Sequence, residues 1–296
     1  MSMKLSIITP VYNRAYILNE LYESLKRQTL KEFEWIVVDD GSTDNTWNML
    51  EEYKETETLF SIIIQRQENQ GKHIAVNRAV SLATGEYVFI VDSDDCLTED
   101  AIETVCSWIE QVRGRKDIAA VAGLKGYRET RECLGQYPRQ VECGGWLEAK
   151  NTERRKYKLL GDKAEVYRTD LLRSHLFPQF EGEKFLYEEC VWNQLATEGY
   201  LIRWYNKIIY WCEYLPDGLT KSSEKELKNF EGFTYTMRQR IKCIGKIESL
   251  FARGFYFEVA KQKGIGIKEA AERVDTSGAL LLFGYLMRKM KKRLFG

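Results

Sequence analysis

The sequence predicts an α/β fold: a mostly parallel sheet flanked by helices, followed by a helical C-terminal extension. Three observations point there. Through the first 123 residues, short apolar runs alternate with stretches whose apolar residues recur at three- and four-residue spacing, the pattern of repeated βα units. Polar clusters follow the apolar runs directly, at the strand ends where such sheets bind ligands. Helical pattern returns from about residue 224 to 252 and again near the end.

Strands are expected at 5–9, 35–38, 61–65, 87–91 and 119–122, and helices at about 17–27, 46–54, 74–83 and 100–113. Pro10-Val11-Tyr12-Asn13 follows the first strand, Asp39-Asp40-Gly41-Ser42-Thr43-Asp44 the second, Asn69-Gln70-Gly71-Lys72 the third and Asp92-Ser93-Asp94-Asp95 the fourth. From 124 to about 184 the alternation gives way to a mixed, charged region containing Gly144-Gly145-Trp146 and Arg154-Arg155-Lys156. A helix at 187–198, strands at 201–205 and 208–212, and helices from about 224 to 252 and near the end complete the reading. The expected division is a domain at 1–220, in halves 1–123 and 124–220, and an extension at 221–296.

Lysine plus arginine equals aspartate plus glutamate at 44 each, so global charge makes no case for a nucleic-acid partner. Seven scattered cysteines without a Cys-x-x-Cys suit free thiols in a reducing compartment. Two histidines leave little for a histidine-based metal site. Met1-Ser2-Met3-Lys4 leads straight into a strand without the pattern of a signal peptide, which predicts a cytoplasmic protein. No apolar run approaches the roughly 20 residues that span a bilayer.

The densest chemical signal is Val88-Phe89-Ile90-Val91 ending in Asp92, Asp94 and Asp95. Carboxylates this close repel one another, and a hard divalent cation with oxygen ligands would recover that cost. The alternative is that Asp-Ser-Asp-Asp caps the helix that follows.

Ser6-Ile7-Ile8-Thr9-Pro10-Val11-Tyr12-Asn13, Val37-Val38-Asp39-Asp40-Gly41-Ser42-Thr43-Asp44 and Val91-Asp92-Ser93-Asp94-Asp95, in this order and spacing, resemble a family-two glycosyltransferase with the Rossmann-like GT-A fold. The resemblance is strong over about the first 125 residues and weaker to about 220. It implies a nucleotide-sugar donor, Mn2+ or Mg2+, inversion at the anomeric carbon, a nucleotide-binding half at 1–123 and an acceptor half at 124–220. Pro10, Tyr12, Asp39, Asp40, Lys72 and Asp92 are then the nucleotide-binding candidates, and Asp94 with Asp92 the metal candidates of the family's Asp-x-Asp. Tyr12 offers a face for a nucleobase and Asp40 an acceptor for its imide N–H, a pairing that suits uracil and hence UDP. Lys72 and the amides opening its helix would face the diphosphate, or Lys72 is a solvated loop lysine; Asn77 and Arg78 lie one turn on, where they brace the loop or the donor sugar. The family's acidic pair becomes Glu188-Glu189 here, with Glu189 the expected base and Glu188 one residue away. An acidic first helical turn is the plain alternative.

Gln-x-x-Arg-Trp and spanning helices, expected of the family's processive membrane synthases, are missing from the sequence. A single addition to a glycan or lipid-linked acceptor, in cell-surface polysaccharide or glycolipid synthesis, is the leading reading; a catalytically inactive glycan- or nucleotide-binding protein is the runner-up. A nucleotidyltransferase or dinucleotide oxidoreductase would need glycines after the first strand, where Pro10-Val11-Tyr12-Asn13-Arg14 has none. The tail runs from apolar, 278–287, to basic, 288–293. It predicts either peripheral contact with the inner face of the membrane or a helix packed on this chain or a second subunit.

Overall fold

The computed structural model describes residues 5–212 and 224–295; the expected boundary at 220 lies outside the described residues. The elements are β1 (Leu5–Val11), α1 (Leu18–Lys26), β2 (Phe33–Asp39), α2 (Thr46–Thr56), β3 (Ser61–Arg66), α3 (Lys72–Leu82), β4 (Tyr87–Ile90), β5 (Cys96–Leu97), α4 (Ala101–Gln111), β6 (Ile118–Tyr127), β7 (Trp146–Ala149), β8 (Lys163–Arg168), α5 (Thr169–Ser174), α6 (Glu189–Thr197), β9 (Leu201–Cys212), α7 (Lys225–Lys228), α8 (Phe230–Cys243), α9 (Lys246–Gln262), α10 (Ile267–Arg273) and α11 (Gly278–Phe295). They form two compact units: Met1–Leu176 with Gly199–Gly218, and Phe177–Glu198 with Leu219–Gly296.

The first unit is built on one sheet of order β3-β2-β1-β4-β8-β6-β9-β5, with β7 also on β9. β1, β2, β3 and β4 run parallel, as the βα alternation requires. Their apolar runs are continuous rather than alternating because both faces are covered: Leu5, Ile7, Ile8, Ile36, Val37 and Val38 are fully buried. α1 turns Leu18, Leu21, Tyr22 and Leu25 inward at helical spacing. Tyr22 stacks on Tyr53 of α2 with centroids 3.9 Å apart, tying two helices on one face.

Beyond β4 the sheet becomes mixed. β8 inserts antiparallel between β4 and β6, and it comes from the charged region where periodicity gave no strand. Two strands expected at 201–212 are one, β9, whose pairing with β6 absorbs the change of register through irregularities opposite Leu124. β6 itself continues to Tyr127, five residues past its expected end.

The amino-terminal edge of the sheet holds a buried carboxylate. Glu34 Oε1 accepts from Ser6 Oγ at 2.5 Å, from the Thr84 amide at 2.6 Å and from Thr84 Oγ1 at 2.9 Å. Gly85 lies against this cluster, and a Cβ there would stand 2.7 Å from the Leu5 carbonyl carbon and the Ser6 amide. Gly85→Ala is therefore expected to destabilise the chain by about 1–3 kcal/mol, read as a lower urea midpoint at unchanged slope; an unchanged midpoint would mean that β1 can shift away at no cost.

In the second unit α8, α9, α10 and α11 enclose Phe230, Phe233, Met237, Tyr256, Ala260, Val274 and Leu281. α11 crosses α9 where Gly254 meets Gly284, and a side chain on either would collide with the opposing backbone. The segment Phe177–Glu198 belongs to this unit, whereas the sequence reading set it in the acceptor half. The cause is packing: α6 turns Cys190, Val191, Leu195 and Ala196 inward, and Asn229 Oδ1 receives the amides of Lys184 and Phe185 at 2.8 and 3.0 Å. All seven cysteines are free thiols; Cys96, Cys106, Cys190 and Cys212 are buried, Cys133 and Cys243 partly so, and Cys143 is exposed.

Candidate active site

The loops after β1, β2 and β4 sit at the carboxyl edge of the parallel strands, where side chains can gather without blocking the sheet. The first two loops are laced together. Asn13, held at φ +52°, accepts the Thr43 amide through Oδ1 at 2.8 Å and donates its own amide to Ser42 Oγ at 2.9 Å. Arg14 N–H reaches Thr46 Oγ1 at 2.9 Å. Pro10 is buried within β1, while the Tyr12 ring is 45% exposed at the edge, free to present a face.

The two adjacent aspartates have separate tasks. Asp39 is fully buried; its Oδ1 accepts the Ser42 amide at 2.9 Å and its Oδ2 lies 3.1 Å from Arg66 Nε. Asp40, also buried, accepts from Gln67 Nε2 and the amides of Gln70 and Gly71, each at 2.8 Å. It thus shapes the loop that opens α3. Of the carboxylate's roughly four lone-pair sites, three are engaged.

Asp92, Asp94 and Asp95 converge with two lysines. Lys72 Nζ lies 2.6 Å from Asp92 Oδ1, and Lys125 Nζ lies 3.8 Å from both Asp92 Oδ2 and Asp95 Oδ2. Burial pushes Asp92 upward, but Lys72 and then Lys125 outweigh it and hold the carboxyl down at about 2. Asp95 moves the other way, up to about 7, because burial dominates the pull of Lys125. Asp94 is raised by burial and by the charge of Asp92. It forms no ion pair among the described residues.

The capping alternative for this run is excluded. β5 intervenes after Asp95, pairing with β9 at Tyr210 and Trp211, and α4 begins only at Ala101 behind Asp100. Asp95 instead faces Tyr210, whose hydroxyl hydrogen-bonds to it and accepts the Asp92 amide at 2.9 Å. Lys125 lies 4.0 Å over the Tyr210 ring. Lys125 and Tyr210 are site residues the sequence reading did not name. They are partners across the β6–β9 register, and the local signal was a lysine ending the apolar run that begins at Ile118. Lys72 is likewise no solvated loop lysine, since Asp92 holds it. Asn77 is half-buried and Arg78 exposed along α3.

Among the described residues no three His, Cys, Asp or Glu side chains form a cage that could hold a metal by themselves. A magnesium-type site needs less: one or two carboxylates, with substrate phosphates and water completing the shell. Asp94, an oxygen donor in no ion pair among the described residues, fits that requirement; Asp92 fits it where Lys72 gives way.

Glu188 and Glu189 lie in the helical unit, at the N-cap and first position of α6. Glu189 Oε1 lies 3.1 Å from Arg240 Nη1 of α8, which fixes its direction. Both side chains are half-buried.

Residues 6–174, more than half of the chain, match the model of glycosyl transferase family 2. The chain belongs to glycosyl transferase family 2. Within that family, it is 37% identical to glycosyltransferase GlyG of Streptococcus pneumoniae over 124 residues, which are 42% of this chain and 39% of the relative. It is 32% identical to a poly(ribitol-phosphate) beta-glucosyltransferase of Bacillus spizizenii over 126 residues, 42% of this chain and 20% of the relative. The matches thus span only about two fifths and one fifth of those relatives. The fold is shared with S. aureus TarS 1–349 in complex with UDP-GlcNAc, at TM-score 0.65 and 21% identity over 88% of this chain and 73% of that one. A second match is a mannosyltransferase of Pyrobaculum calidifontis in complex with GDP-Man and Mn2+, at TM-score 0.51 and 18% identity over 100% of this chain and 77% of that one. The glycosyl transferase family 2 chain accordingly has the GT-A fold expected from its strand-tip motifs.

Proposed function

We propose that this chain moves a sugar from a UDP-sugar to an acceptor hydroxyl with inversion, in the assembly of a cell-surface glycan or lipid-linked glycan. The observation that carries the reading is the gathering of Asp92, Asp94 and Asp95 with Lys72 and Lys125 at the edge where Tyr12 is exposed. Cations and carboxylates there match a diphosphate and the divalent ion that accompanies it. The relative acting on poly(ribitol-phosphate) supports a polyol or sugar hydroxyl as acceptor.

In this reading Tyr12 stacks on the uracil, while Asp40 holds the Gln67–Gly71 turn and lends its remaining lone pair to the base. Pro10 and Asp39 shape the wall near the ribose. Lys72 leaves Asp92 to meet the diphosphate. Asp94, with Asp92 beside it, would hold Mn2+ or Mg2+, which when bound would neutralise charge developing on the leaving diphosphate. The acceptor oxygen attacks the anomeric carbon from the face opposite the diphosphate. The C–O bond to phosphate breaks with its electron pair passing to UDP, and the acceptor proton passes to Glu189, which Arg240 orients.

A donor screen tests this. Thermal shifts with UDP-, GDP- and TDP-sugars, with and without Mn2+, should show the largest stabilisation for a uridine donor with metal, about 2.7 kcal/mol at a ligand concentration 100 times Kd. Mass spectrometry should then show slow release of UDP. Stabilisation without release, even with added acceptors, would favour the inactive binding protein; equal response to all bases would sink the uracil assignment.

A further inference from the structure

We propose that the outward face of α11 docks on an anionic lipid bilayer. The inference stands apart from the transfer reaction and rests on the second unit alone. α11 uses one side for its own fold: Leu281 is fully buried and Gly284 meets α9. At 3.6 residues per turn, the opposite side carries Leu282, Phe283, Leu286, Met290 and Leu294, which are 44%, 51%, 49%, 58% and 70% exposed. Five large apolar side chains in one stripe exceed the scattered exposure usual on a folded surface.

Charge selects the occupant. Lys289 and Arg293 border one side of the stripe and Lys291 the other, all exposed, so the apolar band is framed by cations. No acidic residue occurs anywhere in α11. Apolar contact framed by lysine and arginine is the arrangement of helices that lie in the headgroup region of anionic membranes. Among the described residues no helix is long and apolar enough to cross a bilayer, so α11 would lie on the surface. The inner side of the helix is already tied down, with Arg288 Nε 2.7 Å from Glu258 Oε2. The helix is thereby preformed and need not fold on contact.

The test is co-sedimentation of the full chain with vesicles of phosphatidylcholine alone and of phosphatidylcholine mixed with phosphatidylglycerol. Binding is expected only to the anionic vesicles, weakening as salt is raised. Lys289→Glu with Lys291→Glu and Arg293→Glu should lower partition by well over fivefold, since one basic residue at such a surface is worth about fivefold. Phe283→Glu with Leu286→Glu should abolish it. Phe283, Leu286 and Arg293 are exposed, whereas Lys289 and Lys291 lie over the Tyr285 and Phe251 rings. An unchanged thermal midpoint certifies the fold of each variant, and the Phe283→Glu with Leu286→Glu variant decides alone should loss of the lysine–ring contacts lower the midpoint of the other. Failure to bind anionic vesicles at low salt, or binding that all variants retain, overturns the proposal. So does self-association that Leu286→Glu removes, which would assign the face to a second copy of the chain.

Discussion

Asp94→Ala is expected to reduce transfer by roughly 10²–10³-fold, the several kcal/mol that a bound cation contributes at a leaving diphosphate. Its thermal midpoint should hold or rise slightly, because one of three mutually repelling carboxylates is gone and no described ion pair is broken. The variant should also lose the increase in UDP affinity that Mn2+ brings. Turnover and UDP affinity measured across a Mn2+ titration check both points together. Full activity of the variant in the presence of a chelator would remove Asp94 from the reaction.

Glu189→Gln should leave UDP and metal affinity intact while lowering turnover by roughly 10²–10⁴-fold, the usual weight of a general base. Glu188→Gln should do far less. The amide at 189 can still accept from Arg240, now 3.1 Å from the carboxylate, so the loss would reflect proton transfer rather than a collapsed helix start. Comparing turnover and UDP affinity in the two variants decides the register. Loss with Glu188→Gln alone moves the role back one residue, and near-normal turnover in both leaves the pair as an acidic helix start.

The first half of the fold was legible because buried parallel strands announce themselves. Leu5, Ile7 and Ile8, or Trp35 to Val38, can be little else when helices of three- and four-residue period flank them. The strand tips were legible for a related reason: Asp39, Asp40 and Asp92 interrupt apolar runs abruptly. Partnership was not. Lys125 meets Asp95 because β6 and β9 pair over more than eighty positions of sequence, and no local pattern encodes that pairing. β8 escaped notice since Lys163-Ala164-Glu165-Val166-Tyr167-Arg168 alternates weakly and sits in a charged setting. The grouping of α6 with the C-terminal helices depends on Asn229 and on apolar faces that recognise each other only once folded.

The distribution of thiols has a practical consequence for labelling chemistry. Burial pushes the thiols of Cys212 and Cys243 up to about 11 and that of Cys190 to about 12, and it also raises Cys96 and Cys133. Thiolate, the form that reacts, is therefore scarce at these positions near neutral pH, and Cys106 is shielded by its packing. Cys143 alone is exposed. A maleimide dye would mark this one position in the folded wild-type chain, providing a fluorescent reporter without the removal of any other cysteine.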